Sequence, residues 1–164
     1  MTRQAGSKAC LRYRCPAEGG YMGYDTESLM QQRIWLADIF PERVPEKPDG
    51  RYFGAEKVFR RSLPELGRKF GSIILKLYCW YDMTVCADGA ETVNPSAGSL
   101  AALIGRCYHL GIGRLDIVLP ECDTLIVLDA GDLYMTVYSD DERCPELLGK
   151  LTQAEGLFFY ATEQ

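Results

Sequence analysis

Three apolar runs, 115–119, 125–128 and 133–138, follow one another in the last third of the chain, ahead of a helix-like stretch and a final run at 157–160. Short apolar runs divided by turn chemistry such as Asp129-Ala130-Gly131-Asp132 read as strands of a meander. A meander that gives way to a helix and a last strand implies a sheet-and-helix domain whose core is built late in the sequence.

Upstream, residues 1–25 mix Pro16, Gly19, Gly20 and Gly23 with scattered charge and no periodicity, which reads as a flexible N-terminal arm. Asp25-Thr26-Glu27-Ser28 then opens an apolar pattern through Leu29, Met30, Ile34, Trp35, Ala37, Ile39 and Phe40, whose spacing predicts a helix ending before Pro41. The proline-rich stretch 41–50 is a linker. A second helical region begins near Tyr52 and carries Phe53, Val58, Phe59, Leu63, Leu66 and Phe70 to an end at Gly71, with a kink expected near Ser62, where Pro64 and the Ser62/Glu65 capping spacing mark a new first turn. Over 72–87, Ile73, Leu75, Leu77, Cys79, Tyr81, Met83 and Val85 alternate and favour a strand, broken near Tyr81-Asp82, although the run tolerates a helical trace. A small-residue helix over 96–110, capped by Asn94 or Ser96 and stopped by Gly111, leads into the meander. A helix from about 139 carries Leu147, Leu148, Leu151 and Ala154 inward, Gly156 closes it, and a terminal strand follows.

The predicted fold is therefore α+β: N-terminal helices, then a mostly antiparallel sheet with two packed helices, in split βαβ or ferredoxin-like order with an inserted β segment. A flexible arm at 1–25 and one domain over 26–164 suit the length.

No apolar stretch approaches the roughly 20 residues that cross a bilayer, and the basic start has no apolar segment behind it, so a cytoplasmic protein without membrane contact is expected. Seven scattered cysteines, an odd number, fit reduced thiols better than a disulfide framework. The net charge of −5 conceals an asymmetry: residues 1–82 carry 14 Lys and Arg against 10 Asp and Glu, whereas 83–164 carry 4 against 13. Such totals bear on solubility before function.

No residue set has the spacing of a known chemistry. His109 is the only histidine, and Cys107 two positions away faces elsewhere on a helix. The Cys10/Cys15 and Cys79/Cys86 spacings lack the short spacer of structural zinc sites, so no metal and no cofactor are expected. Residues 109–114 (HLGIGR) resemble a phosphate loop, but a helix ends there and a strand begins, the reverse of the order such a loop needs. The acidic residues Asp116, Glu121, Asp123, Asp129 and Asp132 fit turns better than a calcium loop.

Two groups of residues are candidates for binding. Tyr78, Trp80, Tyr134 and Tyr138 alternate with inward positions and are expected to share an exposed sheet face, where aromatics anchor protein interfaces. Lys57, Arg61 and Arg68 are expected on one helical face, suited to phosphate contacts. A small soluble macromolecule-binding protein follows, acting on another protein in the manner of bacterial or phage inhibitor and immunity proteins. The alternatives are a nucleic-acid module using the basic 57–69 helix, or a small enzyme pairing Cys122 or Cys144 with His109 and Asp116.

Overall fold

A computed structural model describes residues 24–45 and 50–162, together with the backbone of a two-stranded ribbon, β1 (Tyr13–Arg14) and β2 (Tyr21–Met22). The predicted N-terminal arm lies largely outside the described residues.

Seven strands form one antiparallel sheet. In chain order they are β3 (Ile34–Asp38), β4 (Thr84–Ala87), β5 (Ala90–Val93), β6 (Arg114–Leu119), β7 (Thr124–Asp129), β8 (Tyr134–Tyr138) and β9 (Phe158–Ala161), and across the sheet they run β5-β4-β6-β7-β8-β3-β9. Helices α3 (Leu63–Leu77), α4 (Ala97–Leu110) and α5 (Arg143–Ala154) contribute the helical side of the core, and the short α1 (Thr26–Leu29) meets β7. The fold is α+β, as the order of apolar runs implies. Both flanks have the split βαβ plan. β5 and β6 are parallel with β4 between them, joined through α4; β8 and β9 are parallel with β3 between them, joined through α5.

Residues facing α3, α4 and α5 form one continuous core: Val85, Leu115, Ile117, Leu119, Ile126, Leu128, Met135, Val137 and Ala37 meet Phe70, Ile73, Ile74, Leu77, Leu100, Ile104, Tyr108 and Leu148. Alternate residues of the same strands point to the other face, where Val118, Leu125 and Val127 pack with Tyr24, Leu29, Met30 and Tyr138.

The first predicted helix is mostly a strand. After the single turn of α1, which Asp25 caps by accepting from Ser28 N–H (3.1 Å), residues 34–38 insert between β8 and β9. Ile34-Trp35-Leu36-Ala37 is apolar on both sides because both sides are buried: Ala37 faces the helices and Leu36 the opposite face. A run without a polar side has no helical stripe, and β-branched and aromatic residues favour the pleat.

The region 72–87 corrects a second expectation. α3 runs through Gly71 to Leu77, a turn occupies 78–81, and only Thr84–Ala87 is strand. Leu63, Leu66, Phe70, Ile73, Ile74 and Leu77 recur at three and four and are all buried, so the helical stripe prevailed over the alternation of Ile73, Leu75 and Leu77. The kink falls where Pro64 places it: α2 (Arg51–Phe59) ends, one 3-10 turn covers Arg60–Ser62, and α3 starts afresh, although the Ser62 side chain makes no capping bond. The hairpin break lies at Asp88-Gly89, not at Tyr81-Asp82. Both residues have positive φ (50° and 77°), the conformation of a tight two-residue turn, and it adds β5, whose polar, exposed Ala90–Val93 carries no apolar signal.

Candidate interaction surface

The sheet face without the three long helices is organised in rows by strand register. One end row reads Phe158, Asp38, Tyr134 across β9, β3 and β8; the next reads Tyr160, Leu36, Thr136, Val127; a third reads Ile34, Tyr138, Leu125. α1 meets β7, and Leu29, with Met30 just after it, packs against the cluster of Val118, Leu125 and Val127. The Asp38 end of the face adjoins α2.

Asp38 is buried. Its carboxylate accepts from Phe40 N–H (3.1 Å) and from the Tyr160 hydroxyl (2.9 Å). Burial pushes the Asp38 carboxyl above its ordinary value near 3.8, outweighing those two bonds, and the Tyr160 phenol is also raised by burial and by the carboxylate it donates to. The folded carboxyl thus keeps its proton to higher pH than the unfolded one. Between the ordinary and the raised value the native state binds more protons, so Asp38 lowers stability as pH rises through that window. Asp38→Asn retains an acceptor for Phe40 N–H and can turn its amide toward the Tyr160 oxygen. In urea titrations the variant should exceed the parent in stability at pH 7 and show no advantage at pH 3.

α2 stands beside this row and is held in an unusual way. None of its nine residues is buried. It is fastened instead by Phe40, whose ring meets Tyr52 (6.2 Å between centroids) and Phe59 (5.8 Å, edge-on), and by Arg60, which pairs with Glu56 (2.6 Å) and donates to the Gly131 carbonyl in the β7–β8 turn. Phe53 and Val58 are 65% and 56% exposed, and Arg51, Lys57 and Arg61 are exposed as well, as is Phe59 on the side that does not meet Phe40. Phe158 is exposed at the sheet edge in the row of Asp38. Isolated helices of this length are marginal in water, so apolar residues kept outward on one are a feature of the surface.

The residues expected to share a face are divided. Tyr134 and Tyr138 stand on the helix-free face, four residues apart on β8 and both half-buried, Tyr138 against the cluster of Val118, Leu125 and Val127. Tyr78 and Trp80 are not on a strand: they lie in the turn after α3, where the Tyr78 hydroxyl donates to the Pro95 carbonyl (2.8 Å) and Trp80 is exposed. Lys57 and Arg61 lie on α2 and the turn behind it, whereas Arg68 lies on α3 beyond the break and lines, with Lys76 and Cys79, a groove of about 580 Å³ between α3 and α4. Lys76 is engaged by Glu155 (2.6 Å). Sequence reasoning missed Phe53 and Phe59 as surface residues because their spacing with Val58 and Leu63 matches a buried stripe; the proline-enforced break that detaches α2 from α3 was the available signal.

The residues of the enzyme alternative are also separated. His109 is exposed near the end of α4, beside the start of β6, while Cys122 follows the other end of that strand, about 17 Å away by strand rise. Asp116 points from the middle of β6 to the helix-free face and accepts from Arg114 (2.7 Å). Cys122 does pack against the core cluster that contains Cys144. Among the described residues no three or more His, Cys, Asp and Glu side chains gather as a metal site, and no described helix is long and apolar enough to cross a membrane. Compared with known proteins, the chain matches no family model, no curated protein and no solved structure.

Proposed function

We propose that the chain is a protein-binding module of the inhibitor or immunity kind, acting in the cytoplasm, and that it grips its partner with α2 and the adjoining Phe158 edge. The observation that carries this reading is a helix with no buried residue that holds Phe53, Val58 and Phe59 toward solvent among Arg51, Lys57 and Arg61. Aromatic and arginine side chains are the commonest anchors of protein interfaces, and cations interspersed with exposed apolar residues suit a partner that offers acidic and apolar surface together. The free thiols of the five described cysteines accord with a reducing compartment.

Capture from lysate of the source cells tests the reading, comparing the parent chain with the double variant Phe53→Ala/Val58→Ala and with Trp80→Ala, which alters an exposed aromatic elsewhere. A partner bound through α2 should be retained by Trp80→Ala and weakened at least about tenfold by the double variant, the loss expected when central anchors are truncated. A partner lost with Trp80→Ala and kept by the double variant would overturn the assignment. The same cations allow a nucleic-acid reading, which gains only if mixed-sequence DNA or RNA binds at low salt, declines steeply with added salt and is lost in Lys57→Glu/Arg61→Glu.

A further inference from the structure

At the end of the sheet away from α2, two thiols far apart in sequence are brought together. Cys122 closes the 3-10 turn Pro120–Cys122 that follows β6, and it is half-buried; Cys144 lies in the first turn of α5 and is fully buried. Their backbones are fixed by a shared polar network. Asp141 accepts from Arg143 N–H (2.9 Å) and Cys144 N–H (2.7 Å), which sets the start of α5. The Thr124 hydroxyl lies 2.7 Å from that of Ser139 and 3.1 Å from the Cys122 carbonyl oxygen, and Ser139 accepts from Asp141 N–H (3.2 Å). This network ties the Cys122 turn to the first turn of α5, and the Cys122 side chain packs against the core cluster that contains Cys144.

We propose that Cys122 and Cys144 are a reactive dithiol site that hydrogen peroxide converts reversibly to a disulfide. Cys122 is the attacking group, since it is the partner that solvent reaches. The neighbouring Cys144 holds the Cys122 thiol below its usual range, whereas Cys122 and burial push the Cys144 thiol up. In the first step the Cys122 thiolate sulfur bonds to one peroxide oxygen as the O–O bond breaks, giving a sulfenic acid on Cys122 and a hydroxide that takes up a proton to become water. In the second, the Cys144 sulfur attacks the Cys122 sulfur; the S–S bond forms, the S–OH bond breaks, and the hydroxyl leaves as water with the proton from Cys144. Two thiols lose two electrons and one peroxide becomes two waters.

The other described thiols provide controls. Cys79 is exposed but lies in the turn after α3, and Cys107 is buried, donates to the Gly113 carbonyl (3.2 Å) and is pushed up by burial. The full chain is treated with a limiting amount of hydrogen peroxide, alkylated, and analysed by intact mass and peptide mapping. Before alkylation the expected product is lighter than the parent by about 2 Da and returns to the parent mass with dithiothreitol; after alkylation its map contains a peptide linking Cys122 to Cys144 with no alkyl group on either. Cys144→Ala should stop at a sulfenic acid on Cys122 that dimedone captures, and Cys122→Ala should leave Cys144 unmodified. Oxidation of Cys79 with Cys122 and Cys144 both still alkylated, or a link joining Cys122 to any other cysteine, would overturn the proposal. The map of the parent chain decides the matter even where a variant at buried Cys144 does not fold.

Discussion

Gly67→Ala should destabilise the protein by about 3 kcal/mol or more, lowering the melting temperature by roughly 6–12 °C. A Cβ added at Gly67 falls 2.3 Å from the Tyr108 Cβ, 2.6 Å from its Cγ and 3.0 Å from its Cδ2. The first of those atoms is fixed to the α4 backbone, so no rotamer change relieves the clash, and α3 and α4 must move apart. Ordinarily alanine improves a helix interior over glycine by about 1 kcal/mol. Gly105→Ala on α4 isolates that favourable part, because an added Cβ there meets nothing within 4 Å. Urea or thermal unfolding should therefore give opposite signs for the two substitutions. Equal, small changes would mean that the two helices do not pack at this separation.

Phe70→Ala is expected to cost about 3–5 kcal/mol, the range for removing a large aromatic from a core that cannot collapse around the space. Phe70 is fully buried, and its ring lies 5.6 Å from that of Tyr108, which is itself buried and whose hydroxyl has no hydrogen-bond partner among the described residues. α4 bounds the space through Tyr108, and Gly67 already brings the two helices close, so little inward movement remains. Because Phe70 and Gly67 both touch Tyr108, their substitutions should not be additive. A double variant no less stable than Phe70→Ala alone would show that the cavity admits the new methyl, and a loss below about 1 kcal/mol for Phe70→Ala would place the core elsewhere.

What could be read in the sequence follows the strength of local signals. The meander, α4 with its Ser96 cap and Gly111 stop, and α5 with β9 were legible because turn chemistry and apolar period agree there. The Ser96 hydroxyl does accept from Ser99 N–H (3.1 Å), and Gly111 takes the left-handed conformation with φ of 64°. β3 was misread because a strand buried on both faces has lost the alternation by which strands are recognised. The 72–87 segment was misread because Ile73, Leu75 and Leu77 satisfy a period of two within a stripe that also satisfies 3.6. The proposed contact surface was half legible. Its cations were visible in composition, but that Phe53 and Phe59 face water depends on α2 having no sheet beneath it, which is a property of the tertiary arrangement. The Cys122 and Cys144 pair had no local signal, since only the return of α5 across the sheet joins them.

β3, the first strand of the large sheet to be synthesised, is held between β8 and β9, the last two. A ribosome therefore releases Ile34-Trp35-Leu36-Ala37 long before either neighbour exists to shield it. Contacts across so much intervening chain close slowly, and unshielded apolar segments invite self-association. In the cell β3 must wait, unpaired or in the care of a chaperone, until β8 and β9 have followed it out of the ribosome.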